Sequence, residues 1–85
     1  MIKKFYAIII RHAGANYSVE APDLPGCVST GTTVEEAINN IKEAIDFHLE
    51  GLKEEGLDIP PPKRTLSAIV EDDSETIYTT VEIAA

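Results

Sequence analysis

Residues 22–27 are Pro22-Asp23-Leu24-Pro25-Gly26-Cys27, a segment with two prolines and a glycine within six positions. Each proline fixes its own φ at roughly −65° and favours an extended conformation at the preceding residue. The glycine supplies the conformational freedom that a sharp chain reversal requires. The segment therefore predicts a rigid turn, called here the Pro-Gly corner, between two regular elements.

Strand patterns lie on both sides of this corner. Residues 5–10 are nearly continuously apolar, which predicts a strand that is covered on both faces. Residues 13–16 predict a turn, and residues 17–21 alternate as the return strand of a hairpin. Residues 27–30 follow the corner and are long enough for a third, short strand.

The clearest periodic pattern runs from residue 34 to residue 52 and predicts an amphipathic helix. Thr33 and Glu36 have the spacing of an N-terminal capping box. Gly56 is the expected residue after the helix end, and the prolines at 60–62 prevent the helix from continuing. The apolar face consists of Val34, Ala37, Ile38, Ile41, Ala44, Ile45, His48, Leu49 and Leu52.

The C-terminal part of the chain adds one further strand. Residues 65–70 fit either a short strand or a single helical turn, and residues 71–75 predict a polar turn. Residues 76–83 alternate and are rich in β-branched side chains, which predicts a strand. We therefore predict one α+β domain over residues 1–85. Its elements follow the order β-β-β-α-β and form two layers, with one helix packed on an antiparallel sheet.

Three segments together resemble the HicB-like antitoxins of toxin–antitoxin systems, and the resemblance extends over nearly the whole chain. They are residues 22–27, residues 33–37 and residues 56–62. The resemblance implies a partial RNase H-like topology and a protein that binds HicA, a small basic RNA-cleaving toxin with a double-stranded-RNA-binding fold. It also implies that the antitoxin covers the toxin's catalytic histidine and RNA surface. The motif residues are Pro22, Asp23, Leu24, Pro25, Gly26, Cys27, Thr33, Glu36 and Ala37.

The composition is strongly acidic, with 15 acidic and 7 basic residues and a formal net charge of −8. Neutralising nucleic-acid phosphates requires clustered Lys and Arg, so we expect no direct nucleic-acid binding. Attraction to a basic protein surface is expected instead, although the same charge also favours solubility. The N-terminal apolar run is too short to span a bilayer and lacks a cleavage pattern, which predicts a cytoplasmic protein without membrane contact.

Few residues are candidates for catalysis. Cys27 with His12 or His48 is the only thiol–imidazole combination in the chain, and packing explains Cys27 and His48 better. The histidines and the cysteine lack metal-ligand spacing, and acidic residues 71–73 fit a solvated turn better than a cation site. We therefore expect no catalytic residue, no metal and no cofactor.

The resulting hypothesis is an antitoxin that covers the active surface of a HicA-type toxin. Many HicB proteins continue into a DNA-binding segment, whereas this chain stops just past its last predicted strand, so we expect a short form without direct operator binding. The candidate partner contacts, near the corner and in the acidic turn, are Tyr17, Glu20, Asp23, Leu24, Glu71, Asp72 and Asp73.

Two other hypotheses remain open from the sequence. A domain of 85 residues buries a limited share of its surface, and one cysteine allows no intrachain disulfide. We therefore expect a homo-oligomer, either a dimer or a tetramer, and a self-associating binding domain without a toxin partner is the alternative function. A small hydrolase is the third hypothesis.

Overall fold

The computed structural model of the 85-residue chain describes residues 3–63 and 76–84. Within these ranges the elements are β1 (Lys3–Ala13), β2 (Asn16–Glu20), β3 (Val28–Gly31), α1 (Val34–Glu54) and β4 (Thr76–Ala84). The strands form one antiparallel sheet in the order β3-β2-β1-β4, and α1 packs on one face. The predicted α+β class and element order are confirmed, while the predictions for residues 65–70 and 71–75 lie outside the described residues.

The β1–β2 hairpin is tighter than the sequence predicted. Ala13 and Asn16 pair as strand residues, which leaves Gly14 and Ala15 as a two-residue turn. Gly14 has a φ of +62°, as the first position of a type II′ turn requires. Because such a turn matches the twist of the flanking strands, β1 continues beyond its predicted end at Ile10.

The hydrophobic core lies between α1 and one face of the sheet. Four buried α1 residues, Ala37, Ile41, Ile45 and Leu49, recur at every fourth position and so share one helix face. The strands contribute alternate residues, because successive side chains point to opposite faces of a sheet. The buried core cluster contains Tyr6, Ile8, Ile10, Val19, Ala21, Leu24, Cys27, Ala37, Ile41, Ile45, Leu49, Val81 and Ile83.

The sheet face opposite α1 is only partly covered. Ala7 and Ile9 of β1 point to this face and are buried, whereas Phe5 on the same face is 55% exposed. The prediction of a strand covered on both faces is therefore correct for residues 6–10 and wrong for Phe5. Ion pairs that also lie on this face join Lys3 to Glu82 and Arg11 to Glu20, and their exposure limits what they add to stability.

Both ends of α1 have defined caps. Thr33 Oγ1 accepts a hydrogen bond from the Glu36 backbone N–H at 3.0 Å, as predicted. The Glu36 carboxylate accepts hydrogen bonds from the backbone N–H and the hydroxyl of Thr32. In a standard capping box it would accept from the backbone N–H of the N-cap residue, which is Thr33 here. At the other end, Gly56 has a φ of +71° in a Schellman motif, which confirms its predicted position.

Gly31, the last residue of β3, lies against the first turn of α1. A Cβ atom at this position would be 2.8 Å from Ala37 Cα and 2.9 Å from the carbonyl carbon of Glu36. No such approach occurs between real Cβ atoms and backbone, so only glycine fits here. The sequence did not indicate this contact, because it joins two elements.

Candidate interaction surfaces

The Pro-Gly corner consists of two consecutive β-turns. Leu24 N–H donates to the Ala21 carbonyl and Cys27 N–H donates to the Leu24 carbonyl, each at 2.9 Å. A proline takes the second position of each turn, and Gly26, with a φ of +83°, takes the third position of the second, as in a type II turn. Ala21 N–H also donates to the Cys27 carbonyl at 3.1 Å, which closes the corner into a compact unit.

Two side chains of the corner point into the core. Leu24 has no exposed surface and Cys27 has 4%. The burial of Leu24 corrects the prediction that it contacts a partner. Its side chain belongs to the hydrophobic core cluster and so has no exposed surface for such a contact. Burial raises the pKa of the Cys27 thiol, which opposes the thiolate form that a nucleophile needs.

Tyr6 connects β1 to the proline segment after α1. Its hydroxyl donates a hydrogen bond of 2.6 Å to the Pro60 carbonyl, and its side chain is fully buried. Burial raises the pKa of Tyr6, and the negative charge of Asp23 raises it further. A cavity of about 460 Å³ separates the corner from the proline segment and is lined by Pro22, Asp23, Pro25, Pro60, Pro61 and Lys63.

A second cavity, called here the corner groove, lies between the corner and the C-terminal half of α1. Its volume is about 410 Å³. Phe47 on its rim is 81% exposed and Val28 is 63% exposed. Gly51 adds no side chain to this part of the helix, and a Cβ atom there would meet nothing within 4 Å. The groove is lined by Gly26, Cys27, Val28, Ala44, Phe47, His48, Gly51, Leu52 and Glu55.

The predicted partner contacts do not share one surface. Tyr17 packs against the core and makes an edge-to-face contact with His12, with ring centroids 4.9 Å apart. Glu20 lies on the opposite face of β2, because it is three residues further along the strand. Asp23 is half-buried at the corner, and acidic residues 71–73 lie outside the described residues.

Phe47 and Val28 were absent from the sequence-based candidates. Phe47 is not one of the apolar helix positions, and it lies between Glu43 and Glu50 on the helix surface. It therefore did not belong to the predicted core face. An aromatic residue on the polar face of an amphipathic helix was the available signal. Val28 gave none, because its exposure depends on its pairing with Glu20, which places its side chain on the sheet face opposite α1.

Two kinds of site are absent from residues 3–63 and 76–84. No helix in these ranges combines the length and the apolar character that crossing a membrane requires. Nor does any group of three His, Cys, Asp or Glu side chains there have an arrangement that could hold a metal ion.

Sequence comparisons identify relatives of the chain. The family model for the HicB-like antitoxin of bacterial toxin–antitoxin systems matches residues 5–84. A UPF0150 protein of Thermoplasma acidophilum is 44% identical over 57 residues, which are 67% of this chain and 83% of that protein. An uncharacterised 14.9 kDa protein of Haemophilus phage HP1 is 47% identical over 55 residues, which are 65% of this chain and only 41% of the phage protein.

Solved structures share the fold. The N-terminal domain of Burkholderia pseudomallei antitoxin HicB has a TM-score of 0.82 and 30% identity, over 95% of this chain and 99% of that chain. A chain of the HicA3 and HicB3 toxin–antitoxin complex has a TM-score of 0.77 and 29% identity, with the same coverage. A longer chain of the Burkholderia antitoxin matches over 92% of this chain and 60% of its own length, with 32% identity and a TM-score of 0.79. This chain therefore belongs to the HicB-like antitoxin family.

Proposed function

We propose that the chain is an antitoxin that binds a small basic HicA-type RNA-cleaving toxin and neutralises it by covering its active surface. The observation that carries this proposal is the similarity, over 95% of the chain, to a chain solved within the HicA3 and HicB3 complex. The family match over residues 5–84 supports it. The function then requires a protein-binding surface rather than a catalytic centre.

Charge supports the same partner. The chain carries a formal net charge of −8, and a toxin that cleaves RNA presents a basic surface to the phosphates. An acidic protein competes with RNA for the positive electrostatic field of that surface and is attracted to it at long range. Among the predicted contacts, Glu20 and Asp23 supply negative charge near the corner, and Tyr17 supplies an aromatic surface at the hairpin end.

The burial of Cys27 supports a binding protein rather than a cysteine-dependent hydrolase. The only cysteine is buried, and the pKa of its thiol is raised. A buried neutral thiol is a poor nucleophile. We propose a non-enzymatic protein that works without a cofactor, in the cytoplasm where the RNA substrate of the toxin is found.

Self-association is the second candidate function. Phe5 and Phe47 are both exposed, and they lie on different layers of the domain. Exposed aromatic side chains on a small domain favour association, so a dimer or a tetramer is compatible with either function. An RNA-cleavage assay with the toxin distinguishes the two functions, because a self-associating domain without a toxin partner leaves RNA cleavage unchanged. Analytical ultracentrifugation measures the oligomeric state.

Co-expression tests the proposed function. The chain is produced together with a HicA-type toxin, and growth and co-purification are measured. We expect relief of growth arrest and a stable complex. The variant Ile41→Asp is the control, because a charge in the fully buried core unfolds the domain and should abolish both effects. Persistent growth arrest with a folded wild-type chain, and no complex, contradicts the proposal.

A further inference from the structure

We propose that the corner groove is the site at which the basic toxin partner inserts an apolar side chain flanked by Lys or Arg. This inference rests on the proposed function and specifies the surface that carries it out. The groove has a volume of about 410 Å³ and lies between the Pro-Gly corner and α1. Apolar anchors that enter such pockets contribute most of the binding energy in many protein interfaces.

Phe47 marks the rim of the groove as a contact surface. Its side chain is 81% exposed and adds nothing to the core cluster. Val28, on the corner side, is 63% exposed and belongs to the edge strand β3. An exposed aromatic side chain at the rim of a cavity leaves water in contact with surface that a partner side chain would cover.

The helix surface around Phe47 is negatively charged. Glu43, Glu50 and Glu54 lie four residues before, three after and seven after Phe47, so they lie on the same side of α1. All three are exposed, and Glu55 lines the groove itself. A partner side chain entering the groove therefore meets Glu55, and the partner surface that covers Phe47 meets the other three carboxylates.

The basic residues of α1 lie on its other flank. Lys42 lines a separate cavity with Asp46 and with Glu82 of β4. Lys53 follows eleven positions later, about three helical turns, and so lies on the same flank as Lys42. The Lys42 flank thus carries both signs of charge, whereas the surface around Phe47, called here the acidic flank, carries carboxylates without a lysine.

This charge distribution selects the occupant. A second copy of the chain would bring a net charge of −8 against the acidic flank, which disfavours docking of one copy in the groove of another. A basic partner gains attraction from the same carboxylates and covers Phe47 at the same time. The groove therefore fits a Lys- or Arg-rich protein surface with an apolar projection.

Matched variants test the apolar part of the site. Titration calorimetry compares the full chain, Phe47→Ser and Phe5→Ser for binding to a HicA-type toxin. We expect Phe47→Ser to weaken binding by about 30-fold, as loss of an interface hot spot does. Phe5→Ser removes the same side chain from an exposed position on the other sheet face and should leave affinity unchanged. Thermal melting checks that both variants remain folded.

A second pair of variants tests the charge. Glu43→Lys and Asp46→Lys alter net charge equally, but Glu43 lies beside Phe47 and Asp46 lies on the Lys42 flank. We expect Glu43→Lys to slow association with the toxin by about tenfold at low salt, and Asp46→Lys to slow it much less. Equal effects of the two changes would contradict a specific role for the acidic flank.

The outcomes separate this inference from the proposed function. If the wild-type chain fails to bind the toxin, the proposed function is wrong and the inference fails with it. If the wild-type chain binds and Phe47→Ser binds equally well, only the docking site is wrong. If Phe47→Ser leaves toxin affinity unchanged but converts an oligomer to a monomer, a second copy occupies the groove and the inference is also overturned.

Discussion

Gly31 packs against α1 and Gly51 lies within it, and the two glycines differ in the space they leave for a side chain. A Cβ atom on Gly31 would lie within 2.9 Å of helix backbone atoms, whereas one on Gly51 would meet nothing within 4 Å. Gly31→Ala should therefore lower the free energy of unfolding by about 2 kcal/mol, because backbone cannot yield as a flexible side chain can. Gly51→Ala should raise it by roughly 0.5–1 kcal/mol, since alanine is the better residue inside a helix.

Urea denaturation of the two alanine variants gives this comparison directly. Both variants add one methyl group in place of a glycine hydrogen, so the chemical change is the same. Opposite signs are expected for the two changes in unfolding free energy. Equal stability of Gly31→Ala and the wild-type chain would mean that β3 does not lie against the first turn of α1.

Tyr6 gives the domain a pH dependence at alkaline pH. Its pKa is raised in the folded chain, so the folded state holds the proton more tightly than the unfolded state does. The stability this provides is complete below the unfolded pKa of 10.0 and is lost as pH rises through the folded pKa. Tyr6→Phe should remove the part of the alkaline decline that Tyr6 causes and leave the part that the buried Cys27 thiol causes. At pH 7 it should cost about 1 kcal/mol through the lost bond to Pro60.

Urea titrations at a series of pH values from neutral to alkaline measure this effect. Tyr17→Phe is the control, because its ring lies beside His12 at the hairpin end rather than against Pro60. The same alkaline decline in Tyr6→Phe and in the wild-type chain would show that Tyr6 does not cause it.

Leu24 and Phe47 show why single residues were the hardest to assign from sequence. Leu24 lies inside a turn, where hydrophobic periodicity is undefined, so its direction depends on the two β-turns that surround it. Phe47 lies in a helix, and the periodic pattern correctly left it out of the core, but that pattern does not say what an excluded aromatic residue does. Contact residues depend on the partner, which the sequence of one chain does not contain.

The N-terminal cap is the feature of α1 that a single substitution tests best. Thr33 Oγ1 accepts from the Glu36 N–H, which has no partner within the helix. Thr33→Ala should lower the unfolding free energy by about 1 kcal/mol, and Thr33→Ser should restore most of it, because serine keeps the hydroxyl. Urea denaturation measures both, and equal losses for Ala and Ser would contradict a capping role.

At the level of elements, the sequence predicted most of the fold because most of its signals are local. The Pro-Gly corner, the cap at Thr33 and the Schellman residue Gly56 each depend on a few adjacent residues, and the structure has all three. The extension of β1 to Ala13 was missed, since strand length depends on pairing with β2 and β4. The close approach of Gly31 to α1 was missed for the same reason, because it joins distant parts of the chain.

The net charge of the whole molecule predicts how binding responds to salt. Attraction between an acidic antitoxin and a basic toxin is screened over a Debye length of about 10 Å at 0.1 M ionic strength. The association rate should therefore fall as salt rises, while the dissociation rate, set mainly by the buried apolar contact, should change little. Stopped-flow or surface-based kinetics measures both rates, and an association rate independent of salt would rule out steering by the charge of −8.

The central claim is that this chain neutralises a toxin by covering its active surface, and an RNA-cleavage titration tests it most directly. Purified HicA-type toxin is held at a concentration well above the dissociation constant of its complex with this chain. RNA cleavage is then followed while the folded chain is added. The predicted result is a linear loss of cleavage that is complete at a fixed stoichiometry, with Ile41→Asp inactive because it is unfolded. Undiminished cleavage in the presence of excess folded wild-type chain would contradict the account.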